Sequence, residues 1–249
     1  NDHQSRLCYR HLGGRNMVRA NCRDTLTVGD FDFLIETLVT RTGRIVSLGE
    51  LLTDNRLRDD LLDHESVFDH LIESPACHNI SPTFYFYVLV RRVLLDMGID
   101  DRDLADYISS LLTHFARQEN TEKLSEIPGE NLRYVTDMLI LLQKCTSEQA
   151  FAIQAHIGNL ALYMTGIFHE NVEFRMQRRG SPSLDFYEQI GAAQYKILSH
   201  HVLARRHHLD HVYERLADDF TLVRTALNNM TERFLHWHVT PLFDYPPHP

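Results

Sequence analysis

The feature that most constrains this chain is an apolar repeat in its last third. Leu209, Tyr213, Leu216, Phe220, Val223, Leu227, Met230 and Phe234 recur at spacings of four and three, the repeat that keeps one seam of a helix facing a partner. Upstream, Phe186, Ile190, Ala193 and Ile197 follow the same rough spacing. The stretch from Ser183 to His238 therefore reads as a long heptad-patterned helix, capped by Ser183 after Pro182 and ended by Pro241. Two polar runs, Ser199-His200-His201 and Arg205-Arg206-His207-His208, predict two helices or one kinked helix in its place. The seam needs a cover, which is either an apolar helix of the same chain or the same seam in a second copy, so a homodimer is one expectation.

The rest of the sequence agrees with an all-α, multi-helix bundle. Among 249 residues there are only 11 Gly and 8 Pro, and half of the prolines lie at or beyond Pro241, so little breaks long helices. Asp30 is read as the cap of a helix carrying Phe31, Leu34, Ile35 and Leu38 to a stop at Gly43. Ser47 opens a short turn, and residues 54–73 fit one helix or two. Ser81-Pro82 starts a helix closed by Gly98, although Phe84 to Val90 alone has strand composition. Asp100 is read as the start of the next helix, with Leu104, Tyr107, Ile108, Leu111, Leu112 and Phe115 on one face. Helices are expected over 131–144 and from Ser147 onward, the latter apolar nearly all round and central to the C-terminal bundle. Gly158, Gly166 and Gly191 lower helix propensity, which close approach of neighbouring helices would justify.

This gives three parts: a basic arm at 1–25, an N-terminal helical part at 26–120, and a C-terminal bundle at 131–249 with a Pro-rich tail. The polar stretch 118–130 is the candidate boundary, and the two helical parts are either separate or share one core. From His3 to Arg23 no acidic residue occurs, and Arg6, Arg10, Arg15, Arg19 and Arg23 come every four or five positions. Such an arm packs back onto its own acidic surface or a neighbouring subunit, or contacts nucleic acid or anionic lipid.

Charge and cysteines narrow the classes. The net charge of −9 argues against general nucleic-acid affinity, leaving only the arm as a route to it. Cys8, Cys22, Cys77 and Cys145 show neither C-x-x-C spacing nor a secreted disulfide pattern, which predicts a reducing cytoplasm. No signal peptide is apparent, and the uncharged run from Gln149 to Phe168 reads as a buried helix, since Gln149, Gln154, His156 and Asn159 interrupt it. Phosphate loops and the G-x-S-x-G elbow are absent.

Three groups of residues could carry chemistry. His207 and His211 are four apart, with Glu214 and Asp218 continuing that face, so nitrogen and carboxylate ligands could converge on a divalent metal. The heptad places them opposite the seam, which favours a solvated face. His169-Glu170-x-x-Glu173 resembles the H-E-x-x-H zinc pattern with its last ligand replaced, Glu170 standing where a base would be. Pairing of these carboxylates with Arg175, Arg178 and Arg179 is the simpler account. Tyr85, Tyr87 and Arg91 sit in an otherwise apolar helix, where Arg91 either binds an anionic ligand or pairs internally with an aspartate such as Asp103 or Asp106. His156 reads as a hydrogen-bonded core residue, and Cys77-His78 lacks a neighbouring base.

Two functions remain. One is a cytoplasmic interaction or regulatory protein working through helical surfaces and the basic arm, with a protein partner or a second copy. The other is a metal-dependent enzyme of hydrolase or oxygenase type, combining His169, Glu170 and Glu173 with His200, His201, His207 or His211. It requires the His169 region and the histidine-rich stretch to meet around a pocket. A divalent metal is the one cofactor these patterns suggest.

Overall fold

The structure, a computed structural model, describes residues 18–43, 47–73, 79–121, 135–179 and 182–235. Among these it is all-α, with 13 α-helices and no strand. No described helix is long and apolar enough to cross a membrane.

Helix α1 (Val28–Thr37) begins in a capping box: Thr27 accepts from the Asp30 N–H while the Asp30 carboxylate accepts from the Thr27 N–H. Asp30 is therefore the third helical residue and not the cap, and its carboxylate also accepts from the Ser81 N–H and hydroxyl at 2.6 and 2.8 Å. One buried side chain thus ties the start of α1 to the start of a later helix. A single π turn (Leu38–Thr42) follows, stopped by Gly43 at φ 66°. The segment 54–73 forms α3 (Asn55–Leu62) and α4 (Glu65–Glu73), preceded by a short α2 (Leu48–Thr53).

Helix α5 (Pro82–Asp96) has the expected Ser81 cap and proline at its start. It ends at Gly98, φ 78°, where the Ile99 and Gly98 N–H groups bond the Leu94 and Leu95 carbonyls in a Schellman closure. Helix α6 (Arg102–Thr121) is capped by Asp101, whose carboxylate accepts from the Leu104 N–H at 2.9 Å. Asp100, the expected start, pairs with Arg91 instead.

Helices α7 (Val135–Leu142), α8 (Ser147–Ile167) and α9 (His169–Arg179) lead to the C-terminal third. There the expected long helix is not found; the stretch forms α10 (Leu184–Ser199), α11 (Val202–Arg206), α12 (Asp210–Asp218) and α13 (Phe220–Phe234). The break after α11 is a second Schellman closure, with His208 at φ 55° in the glycine position and Leu209 N–H on the Ala204 carbonyl. At Asp219 α12 meets α13 directly: the Asp219 N–H closes α12 on the Arg215 carbonyl, and the Asp219 carbonyl accepts from the Val223 N–H to open α13. A heptad specifies which residues face the core, and that facing is kept from α12 into α13, whereas Ala193 and Ile197, which precede the turn at His208, are exposed.

The seam is covered from within the chain. Leu209, Tyr213, Leu216, Phe220, Val223, Leu227 and Met230 are all at most 3% exposed, in a bundle where α8 packs on α10 and α13 and α12 packs on α10 and α6. The three glycines mark close approaches of these helices: a methyl on Gly158 would lie 2.9 Å from Tyr195, on Gly166 2.8 Å from Leu227, and on Gly191 2.5 Å from Phe220. Asn159 accepts hydrogen bonds from the Tyr107 and Tyr195 hydroxyls at 2.7 and 2.9 Å, joining α6, α8 and α10 across the interior. Most buried apolar residues from Val18 to Leu235 form one cluster that draws on both helical parts, with a smaller cluster of Val135, Met138, Ile153 and Ile157 between α7 and α8.

Candidate functional site

The metal candidates are placed apart. His201 caps α11: its Nδ1 accepts from the Leu203 N–H at 3.1 Å, so in the neutral ring the proton sits on Nε2, 3.0 Å from the Ser147 hydroxyl. Both ring nitrogens are then engaged. Ser147 is the first residue of α8, whereas His169 follows its other end and lies 3.5 Å from Glu232. The 21 residues of α8 separate these two points by about 30 Å at 1.5 Å per residue. The His169 region and the histidine-rich stretch therefore do not meet around a pocket.

The remaining candidates disperse similarly. His207 closes α11 and His211 belongs to α12, so the turn at His208 takes them off any common helical face. His211 lies 3.2 Å from Asp103, Glu170 and Glu173 are exposed together on α9, and His200 and His207 are exposed at the ends of α10 and α11. Among the described residues no three His, Cys, Asp or Glu side chains are grouped to hold a metal ion.

The third group leads to the most organised polar site. Arg91, 3% exposed, forks onto Asp63 through Nε and Nη2 at 2.8 and 2.9 Å and also pairs with Asp100. The expected partners Asp103 and Asp106 are engaged elsewhere, by Arg23. Arg102 shares Asp63, 2.9 Å from its Nε, and reaches Asp60 at 2.9 Å. Burial works against the Asp63 charge, but these two guanidinium groups outweigh it and hold its carboxyl below the usual range. Tyr85 lies edge-on to Phe86, while Tyr87 is fully buried with its hydroxyl unpartnered.

Beside this network sits the last arginine of the basic arm. Arg23 donates Nη1 to Asp59 at 2.6 Å, Nη2 to Asp103 at 2.8 Å and Nε to Asp106 at 2.9 Å, and its backbone N–H donates to Asp106 at 3.1 Å. Asp59 comes from α3; Asp103 and Asp106, three apart, share one face of α6. Every nitrogen of the fork is matched to a carboxylate, the geometry in which arginine pairs best. Burial pushes the Asp106 carboxyl up to about 6, although Arg23 pulls it the other way. Arg23, Asp63, Arg91, Asp100, Asp101, Arg102 and Asp103 line an open recess of about 520 Å³.

The sequence carried a signal for this site that periodicity passes over. Asp59-Asp60-x-x-Asp63 and the run Asp100-Asp101-x-Asp103-x-x-Asp106 concentrate aspartates on single helical faces. Reading those segments for apolar spacing identifies the helices, but not the carboxylates that turn toward one another when α3 and α6 pack.

No protein-family model matches this chain, and no curated protein or solved structure matches it.

Proposed function

We propose that this chain is a helical interaction protein whose binding element is the basic arm and whose bundle is the scaffold that holds the arm's root. The observation that carries this is the Arg23 seat: the body supplies three aspartates from two helices to fix one arginine of a segment that is otherwise uniformly basic. A solvated arginine needs no such seat, and a matched buried fork sets position and direction more than it adds stability. The seam is consumed inside the chain, so it is not the partner surface. The partner is a protein with an acidic face, which complements the arm and is repelled by the acidic remainder of a chain whose net charge is −9. Cysteines without disulfide spacing support a reducing compartment such as the cytoplasm.

The test compares the full chain with a variant carrying Arg6→Ser, Arg10→Ser, Arg15→Ser and Arg19→Ser. Binding to immobilised polyglutamate and to a single-stranded RNA homopolymer is measured between low and high salt. Salt-sensitive binding to polyglutamate that the variant loses supports the reading. Tighter binding to RNA would replace the protein partner with a nucleic acid, and no difference between the proteins would end the reading.

A further inference from the structure

The seat of Arg23 is made entirely of parts outside the arm. Asp59, Asp103 and Asp106 bind the guanidinium, and the buried Tyr87 of α5, whose hydroxyl has no partner, lies in the same field, with Arg23 and Asp106 its strongest ionic influences. Arg91 lines the adjoining recess, itself 3% exposed and with Nη1 unpartnered. The site is thus a receptor that already holds one guanidinium, with unpartnered hydrogen-bonding groups of Tyr87 and Arg91 in the same region.

The arm's root adds two apolar pegs. Val18 and Cys22 are 7% and 0% exposed, and the Cys22 thiol donates to the Thr83 carbonyl at 3.3 Å. Between this root and α1 the chain is extended, Leu26 at φ −60°, ψ 137° and Thr27 at φ −88°, ψ 167°. The root's own hydrogen-bonded structure is a single three-residue turn, Arg23–Thr25. A segment joined to the body by an extended link and held by side chains that recur in every copy meets the requirements for exchange.

Resting on the reading of the arm as the binding element, we propose that this seat is an interchangeable receptor for the arm, and that its second occupant is the arm of another copy of the chain. Val18, Cys22 and Arg23 make the same contacts in either copy, so exchange leaves the contact energy nearly unchanged and concentration decides the outcome. Charge draws an arm into the seat, because the arm is free of acids from His3 to Arg23 while Asp59, Asp103 and Asp106 make the seat acidic.

Complementing copies test this. A copy with Asp59→Asn and Asp106→Asn keeps its arm but has a damaged seat; a copy with Arg23→Ala keeps its seat but has a damaged arm. Native mass spectrometry of the mixture is expected to show a heterodimer that neither copy forms with itself. A measurement on the unmodified chain guards against misfolded variants: a peptide of residues 15–26 with Cys22→Ala should displace the root. Alkylation of Cys22, read by site-resolved mass spectrometry, should then rise about tenfold or more, as expected when a buried segment opens locally. Absence of the heterodimer, or Cys22 labelling unchanged at millimolar peptide, overturns the proposal. Peptide-induced labelling without any heterodimer rejects the second copy as occupant and assigns the seat to another basic protein. Polyglutamate binding measured on the same proteins separates the two ideas: if it persists while exchange fails, only the exchange is lost.

Discussion

Replacing Arg23 by alanine should be among the most destabilising single changes in the N-terminal half, and its size should depend on pH. The substitution leaves two buried carboxylates without their cation, Asp59 at 13% and Asp106 at 4% side-chain exposure, while Asp103 at 53% remains in water and adds little. Removing one partner of a buried pair costs about 3–5 kcal/mol, which moves a urea midpoint by about 1–2 M for a chain of this size. Asp106 sets the pH dependence. With Arg23 present its carboxyl already stands at about 6, above the ordinary 3.8, so its neutral form favours the fold below 3.8 and that benefit is lost as pH rises through about 6. Without Arg23 the attraction that lowers it disappears, the folded value climbs further, and the loss extends to higher pH. The Arg23→Ala cost should therefore be larger at pH 8 than at pH 5, and Arg23→Ala combined with Asp106→Asn should recover part of it at pH 8. Urea unfolding followed by circular dichroism at 222 nm reads all three proteins. A cost below about 1 kcal/mol, the range of a surface pair, or equal costs at the two pH values, would refute the reasoning.

Three further outcomes are expected. Gly191→Ala should cost about 1–3 kcal/mol in chemical unfolding, because its methyl would stand 2.5 Å from Phe220 and 3.0 Å from Ala161; a neutral result would mean that α10 and α13 do not approach as described. His208→Gly should raise stability by about 1 kcal/mol, since an exposed histidine holds φ 55° in the Schellman turn, and a lower thermal midpoint would count against that turn. Burial, with His114 adding, pushes His156 down from 6.5 to about 4, so its contribution is complete above pH 6.5 and lost as pH falls toward 4. His156→Gln should flatten the acid limb of the stability curve by about 3 kcal/mol, using 1.36 kcal/mol per pKa unit, and an unchanged limb would show that His156 titrates normally.

Much of the fold was legible because its signals are local. Ser81-Pro82, Ser183 and Ser47 start helices where their side chains can accept the first free N–H groups, and Gly43 and Gly98 stop them where a left-handed residue is required. The seam residues from Leu209 to Met230 are buried as their spacing demands, whereas Ala193 and Ile197 of the upstream set are exposed, and Gly158, Gly166 and Gly191 each face the side chain that fills the space of a missing methyl. Where the reading went astray, two local options were close in energy. Thr27 and Asp30 can each cap α1, and the capping box uses both. His208 carries no glycine-like signal, yet the Ala204 and Arg205 carbonyls are closed by a turn there, so the heptad runs on through a helix that does not.

The candidate site was less legible, because ion pairs are made between segments far apart in sequence. Arg23 meets Asp59 and Asp106 across 36 and 83 residues, and nothing near any of them specifies the match. The sequence by itself determined an all-α chain, the starts or stops of several helices, the inward face of the seam from Leu209 onward and the presence of a basic arm. These follow from backbone hydrogen bonding and apolar periodicity, which act within a few residues. Only the tertiary structure decided that the seam closes on α8 and its neighbours within one chain, that His201 and His169 stand at opposite ends of that helix, and that the arm's last arginine is seated among three aspartates. Those outcomes depend on which helices pack together, and charges buried by that packing hold their place only when each finds its partner.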